Sequence, residues 1–413
     1  MRPLMLSKPL KSLSRSTHWR LWSARVVILL ITGMAAMKLA DIGLGYARNT
    51  FERHLLRLPA NVEVRHRSAE FDYTFRTNSL GLRGPELPLD KPAGVRRIVV
   101  LGDSFVAGWG VADEEVFTAK LQRQLDAESQ QQAEVINVGR IGSSIVRQLD
   151  LYEAVGRRFD PDVVVLAYYV GNDLTEAMQE QDRAELARWH PDGMIRRLAY
   201  AWCPNMYLEL AILRQAVEAR RQFEPRTSDE ILQTIREQAQ ANGSDPAAAV
   251  ERYAAIPSEI RRQVEQGLLS QHRVLPACYD PERVRRALDP PDDYFQQAWP
   301  RTERHLELLR QAVNADGARL AIMAIPDAVQ VDPDALEFDA QLGYQVDPAW
   351  QRAECRTARA VRTWAEGHNV SFLDPTDSLG ASLEKCYYTR DQHFTVAGHA
   401  LVAEALAQLF RRQ

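Results

Sequence analysis

A chain of 413 residues, of which 46% are hydrophobic and 26% charged, can bury a full core and is expected to form one large domain with additions. Its formal net charge of −4 gives no concentrated basic surface, which argues against a nucleic-acid partner.

The N-terminus combines basic residues with an apolar run. Six Lys or Arg residues precede the run Val26–Met37, and the first acidic residue is Asp41. This asymmetry follows the positive-inside rule. Because a membrane span needs about 20 residues, the apolar segment has to continue to Ala47. We interpret residues 26–47 as an uncleaved signal anchor, with 1–25 as a cytoplasmic basic tail. A cleaved signal peptide and a soluble helix are the alternatives.

Four cysteines would lie in an oxidising compartment if this topology holds: Cys203, Cys278, Cys355 and Cys386. Their spacing is not that of a zinc site. They are either buried apolar thiols or two disulfides, and Cys203–Cys278 with Cys355–Cys386 is the simplest pairing.

From Arg97 onwards the sequence alternates between strand and helix patterns. The predicted strands are RIVVL, EVINVG, DVVVLAYYVG, RLAIMAIP and NVSFLDP, with apolar residues at helical spacing between them. This alternation predicts an α/β fold, a three-layer α/β/α sandwich with a mostly parallel sheet. A helix-rich stretch, residues 176–290, interrupts it and is too long for a connection, so we expect an inserted helical subdomain.

Chemically useful residues follow the predicted strands. Ser104 follows the first strand, Gly142 the second and Asn172 the third, while Asp391 and His393 precede the last helix. The carboxyl ends of parallel strands share one edge, so these residues are expected to converge. Ser104 can form a catalytic triad, with His393 as the base and Asp391 as the acid that orients the base. The backbone N–H groups of Ser104 and Gly142 and the amide of Asn172 are candidate oxyanion donors.

The blocks GDSF, NVGRIGSS, GND and DQHFTVAGH resemble those of the SGNH hydrolases, also called GDSL-like esterases and lipases. The resemblance implies a flavodoxin-like sheet, Ser104 as nucleophile, Gly142 and Asn172 as oxyanion donors, and His393 as base with Asp391 upstream. The stretch YTFRTNSLGLRGPE, together with the N-terminal apolar segment, resembles a bacterial membrane-anchored branch. The Asp-x-His spacing is shorter than Asp-x-x-His and is similar to that of polysaccharide O-acetyltransferase relatives.

Residues and resemblance together predict an esterase acting on acyl, especially acetyl, esters of cell-envelope glycans or lipids. The alternatives are an O-acyltransferase for an exported polysaccharide, with a possible acyl-donor partner in the membrane, and a non-catalytic envelope scaffold. No metal or cofactor is expected. The body is placed in the periplasm, anchored in the inner membrane. The expected segments after the anchor are a linker, the first part of the core, the insertion and the second part of the core (48–95, 96–175, 176–290 and 291–413).

Two further features complete the sequence interpretation. His399 is expected to be structural, in the first turn of the last helix. The stretch Asn78–Arg83 has no predicted function, and we expect it only to strap the linker against the core.

Overall fold

The computed structural model describes residues 15–48, 60–128, 132–179, 193–207, 210 and 224–411. These residues belong to two compact units. The first is drawn from residues 1–51 and 190–213, and the second from the rest of the chain. Part of the predicted insertion therefore belongs to the same unit as the N-terminal helix.

Strands and helices alternate through most of the second unit. The strands are β1 (Glu63–Arg67), β2 (Asp72–Arg76), β3 (Arg96–Gly102), β4 (Ala133–Gly139), β5 (Val163–Tyr169), β6 (Arg319–Ile325) and β7 (Ser371–Leu373). The helices are α1 (Arg15–Arg48), α2 (Ser104–Ala107), α3 (Phe117–Glu128), α4 (Ile145–Ala154), α5 (Asp173–Ala177), α6 (Met194–Trp202), α7 (Ser228–Ala241), α8 (Pro246–Ala255), α9 (Ser258–Glu265), α10 (Gln271–Val274), α11 (Pro276–Tyr279), α12 (Arg283–Leu288), α13 (Asp292–Ala315), α14 (Ala328–Val331), α15 (Pro333–Leu342), α16 (Arg356–Gly367), α17 (Thr376–Gly380) and α18 (Val396–Arg411).

In the first unit, α1 contains a stretch that could cross a membrane. Trp22–Leu44 is 23 residues long with a mean hydropathy of 1.9, and most of its side chains are exposed. Its length and composition fit a transmembrane segment or a signal sequence.

Five strands form one parallel sheet in the order β4-β3-β5-β6-β7. Ile98 of the central strand β3 lies opposite Val135 on one side and Val163 on the other. Val99 and Val100 are both fully buried, because layers of helices cover the two faces of the sheet. The predicted three-layer α/β/α sandwich with a flavodoxin-like sheet is confirmed.

Alternate side chains of β3 enter separate apolar clusters. Val99 and Leu101 pack with residues of α4, α13 and α16 on one face. Ile98 and Val100 pack with α3 and α18 on the other. Helices α7 to α12 of the predicted insertion join the first cluster, so they extend the core of the sandwich rather than forming a separate core.

A hairpin that the sequence analysis did not predict precedes the sheet. Strands β1 and β2 pair antiparallel, with Glu63 opposite Arg76. Tyr73 and Phe75 on the inward face of β2 pack against Trp109, which follows α2. The hairpin is therefore attached directly to the loop that follows Ser104.

All four cysteines are free and buried, so of the two alternatives the structure has buried thiols rather than disulfides. Cys355 caps α16, accepting a hydrogen bond from the Ala358 N–H at 3.4 Å, and Cys386 donates to the Leu379 carbonyl at 3.6 Å. Burial raises the pKa of Cys278 and Cys355 to about 12. These groups are the buried, neutral thiols of the alternative interpretation.

Candidate active site

Ser104 lies on a tight turn from β3 into α2. Asp103 caps the helix, its Oδ1 accepting a hydrogen bond from the Phe105 N–H at 2.9 Å, and Ser104 is the first helical residue. A Cβ at Gly139 of the neighbouring strand would lie 2.3 Å from the Ala107 nitrogen, so only glycine lets the helix approach this closely. Ser104 is thereby held at the carboxyl end of β3.

Three of the predicted site residues are connected by hydrogen bonds. Ser104 Oγ is 2.7 Å from Nε2 of His393, and Nδ1 of the same ring is 2.6 Å from Oδ1 of Asp391. The geometry is that of a Ser-His-Asp triad, in which the base contacts the hydroxyl and the acid orients the base.

The short Asp-x-His spacing has a local explanation. Gln392 adopts a left-handed conformation with φ of +66°, which turns the chain so that Asp391 and His393 face each other. The Gln392 side chain is 4% exposed and donates from Nε2 to Oδ1 of Asp339 at 2.8 Å. That carboxylate also pairs with Arg273. The conformation of the triad loop is thus supported from α15 and from α10.

Glu70, in the turn of the N-terminal hairpin, also holds the triad loop. Its carboxylate accepts hydrogen bonds from the backbone N–H of Asp391 at 2.8 Å and of Arg390 at 3.1 Å. On the other side, the Trp109 indole N–H donates to Asp391 Oδ2 at 3.4 Å. Sequence reasoning missed Glu70, although the alternating residues that flank its turn are a hairpin signal.

Two of the predicted oxyanion donors follow β4 and β5. Asn172 precedes α5, and its Nδ2 donates to Oε1 of Glu176 at 3.0 Å, which fixes the orientation of the amide. Gly142 has a φ of +66° and open space around its Cβ position. Its neighbour Ile141 lines the cavity beside Ser104, and Gly142 itself does not.

The cavity above Ser104 has a volume of about 230 Å³. It lies at the carboxyl ends of β3 and β5, where the order of the strands reverses and ligands of open α/β sheets bind. One wall comes from the predicted insertion and carries polar and charged groups. The wall residues are Ser270, His272, Arg273, Arg283 and Val284.

The stretch Asn78–Arg83 has a role that the sequence did not indicate. The Arg83 side chain is buried and donates to the carbonyls of Ala107 at 2.7 Å, Gly108, and Val111 at 2.5 Å. It also pairs with Asp113 at 2.7 Å. Arg83 therefore fixes the loop that connects α2 to α3.

His399 is structural, as expected. It is 1% exposed, and its Nδ1 accepts a hydrogen bond from the Phe117 N–H at 3.2 Å. Burial holds its pKa well below the usual value, so the ring stays neutral.

Replacing Glu70 by alanine should lower kcat about tenfold, because the triad loop loses two backbone hydrogen bonds and small displacements of catalytic groups are costly. Glu70→Gln keeps one acceptor oxygen and should retain more activity. Steady-state kinetics on a small aryl ester measure both variants. Equal turnover of wild type and Glu70→Ala would show that Glu70 does not position the triad loop.

Asp103 predicts a pH dependence of stability. Burial, opposed by the Phe105 N–H, raises its pKa from 3.8 to about 6, so the folded state binds more protons than the unfolded state between these values. The free energy of unfolding should therefore fall as the pH rises from about 4 through the raised pKa of the folded state. Asp103→Asn, which keeps the cap, should flatten this slope in urea titrations. An unchanged slope would assign the effect to other groups.

Comparison with known proteins finds structural likeness only. No family model and no curated protein matches the sequence. The similar solved structures include TesA, with 12% identity and a TM-score of 0.36 over 77% of this chain and 99% of that one. A lipase/acylhydrolase from Enterococcus faecalis has 11% identity and a TM-score of 0.36, covering 77% and 96%. The acetyl xylan esterase AlAXEase has 13% identity and a TM-score of 0.35, covering 76% and 98%.

Identities this low do not transfer a substrate or an activity, so function has to come from the site itself. Ser104, Asn172, Asp391 and His393 line one cavity at one edge of the sheet. In fold, in the order of its four sequence blocks and in the place where they converge, the chain resembles the SGNH hydrolases.

Proposed function

We propose that this protein is a membrane-anchored serine esterase that cleaves acyl esters through an acyl-serine intermediate. The observation that carries the proposal is the pair of short contacts through His393, 2.7 Å to Ser104 Oγ and 2.6 Å to Asp391 Oδ1. A serine hydroxyl is a weak nucleophile, and this arrangement is what activates it.

The reaction follows from the positions of these groups. Ser104 Oγ attacks the ester carbonyl while His393 Nε2 takes the hydroxyl proton, and Asp391 stabilises the resulting imidazolium. His393 then gives that proton to the departing alcohol, leaving Ser104 acylated. A water molecule attacks the acyl group next and its proton passes to His393. His393 then returns this proton to Ser104 Oγ as the bond between Oγ and the acyl carbon breaks and the carboxylic acid leaves.

Oxyanion stabilisation is assigned to three donors. The backbone N–H of Ser104 lies beside the reacting oxygen, the amide of Asn172 is oriented by Glu176, and Gly142 follows the neighbouring strand. Removing one such donor typically lowers kcat by 10²- to 10³-fold. We assign the donors on position and residue type.

The cavity supports a short acyl group on a polar alcohol. Its volume of about 230 Å³ lies below the usual range for sites that enclose drug-sized ligands, and the insertion adds His272 and Arg283 to the wall. An acetyl ester of a cell-envelope glycan or lipid fits this space and this lining. A sugar hydroxyl in place of water would make the same intermediate serve an acyltransferase.

The proposed location follows from α1. Its apolar stretch is preceded by basic residues, a pattern that favours a cytoplasmic N-terminus. This supports our proposal that the catalytic unit lies in the periplasm of a bacterium.

A serine-directed aryl phosphonate tests the proposal. We expect peptide mass spectrometry to find the phosphonyl group on Ser104 of the full chain, together with hydrolysis of a small aryl acetate. A non-catalytic scaffold predicts neither result. An oligosaccharide is then added to the reaction with the aryl acetate. Release of the acetyl group as acetate indicates an esterase, and its transfer to the sugar indicates a transferase.

A further inference from the structure

Helix α6 carries an apolar face whose side chains are largely exposed. Met194, Ile195, Leu198 and Trp202 are 77%, 81%, 64% and 42% exposed. At 100° per residue these four positions span about 100° of the helix circumference. Arg196 lies on the opposite side and Arg197 beside the edge of the apolar face, so α6 is strongly amphipathic.

The C-terminal end of α6 is attached to α1. Lys38 Nζ donates to the Trp202 carbonyl at 2.6 Å and lies 5.9 Å from the centre of the Trp202 ring. Immediately after the helix, Asn205 Nδ2 donates to the Asp41 carbonyl at 3.0 Å, and the Met206 N–H donates to the Asp41 carboxylate at 2.9 Å. These contacts set the position of α6 along the axis of α1.

Lys38 and Asp41 lie close to the end of the apolar stretch, which runs to Leu44. At 1.5 Å per residue, they are about 9 Å and 5 Å from that end. A carboxylate at this depth needs partners, and Asp41, 1% exposed, obtains them from residues 205 and 206. The depth is also where interfacial helices place their apolar faces, about 5–10 Å below the headgroups.

We propose that α6 is an interfacial helix that lies in the boundary between headgroups and acyl chains of the leaflet into which the C-terminal end of α1 extends. Met194, Ile195 and Leu198 enter the acyl region. Trp202 lies in the same boundary layer, where tryptophan is enriched, and Arg196 on the opposite face points to the lipid phosphates. The occupant of this face is the bilayer itself. The inference rests on the proposed membrane anchoring by α1.

Depth-dependent quenching tests this placement in the full chain. Leu198→Cys, Leu29→Cys and Arg196→Cys, each labelled with a small fluorophore, report the apolar face of α6, the middle of α1 and the polar face of α6. The four native thiols are buried, which favours selective labelling. The protein is reconstituted in phosphatidylethanolamine/phosphatidylglycerol vesicles that carry nitroxide lipids at a shallow or a deep position.

We expect the label at position 198 to be quenched more by the shallow nitroxide, the label at 29 more by the deep one, and the label at 196 only weakly. If position 29 is quenched and position 198 is no more quenched than 196, the apolar face meets water or a protein and the inference fails while the anchor stands. Deep quenching at 198 would also overturn it. A lack of quenching at 29 would overturn the anchor and this inference together.

Discussion

Replacing Ser104 by alanine should lower kcat for a small aryl acetate by about 10³-fold or more, because the variant has no nucleophile to form the acyl-enzyme. The change removes one oxygen atom from a site already shaped by β3 and α2, so the thermal unfolding temperature should stay within a few degrees of the wild-type value. Initial rates and a melting curve on the same preparation measure both effects.

Ser270→Ala is the matched control, since Ser270 lines the same cavity from the insertion and its side chain forms no hydrogen bond to the described triad residues. We expect its kcat to remain within a few-fold of wild type. Wild-type turnover by Ser104→Ala would show that hydrolysis happens elsewhere, and an equal loss in both variants would assign the effect to the cavity rather than to the nucleophile.

The sheet and the positions of the triad residues were predictable because both follow from local pattern. Continuous apolar runs predict buried parallel strands, and residues that follow such strands share one edge. Ser104 and Asn172 follow strands, and His393 and Asp391 precede a helix with clear apolar spacing. The structure places all four beside one cavity.

The supports of the site were not predictable in the same way. Glu70 is separated from Asp391 by 321 residues, and no local pattern indicates which backbone groups a distant carboxylate will meet. The left-handed Gln392 depends likewise on Asp339, from another part of the chain. The state of the cysteines was left open because compartment and order along the chain do not show where each thiol packs, and the structure has each of them free and buried.

The second large effect is expected at Arg83, whose side chain meets three backbone carbonyls and one carboxylate. Arg83→Met keeps the apolar stem and leaves those acceptors without their donor. Unpaired buried polar groups cost about 1–3 kcal/mol each, and breaking a buried ion pair costs about 3–5 kcal/mol, so we expect the free energy of unfolding to fall by about 3–5 kcal/mol. Urea titration followed by tryptophan fluorescence measures this loss.

The comparison with Arg65→Met shows whether the loss of stability in Arg83→Met comes from the geometry of the buried guanidinium or from the loss of a charge. Arg65 forms an exposed ion pair with Asp72 across the β1–β2 hairpin. Removing such a pair changes the free energy of unfolding by less than about 1 kcal/mol. Arg83→Lys keeps the charge but cannot reach all four acceptors, so it should resemble Arg83→Met in stability. Because the carbonyls of residues 107 to 111 flank Trp109, which contacts Asp391, folded Arg83→Lys protein should also lose turnover. Full stability and full turnover in Arg83→Lys would mean that charge alone, rather than the planar guanidinium, holds the nucleophile loop.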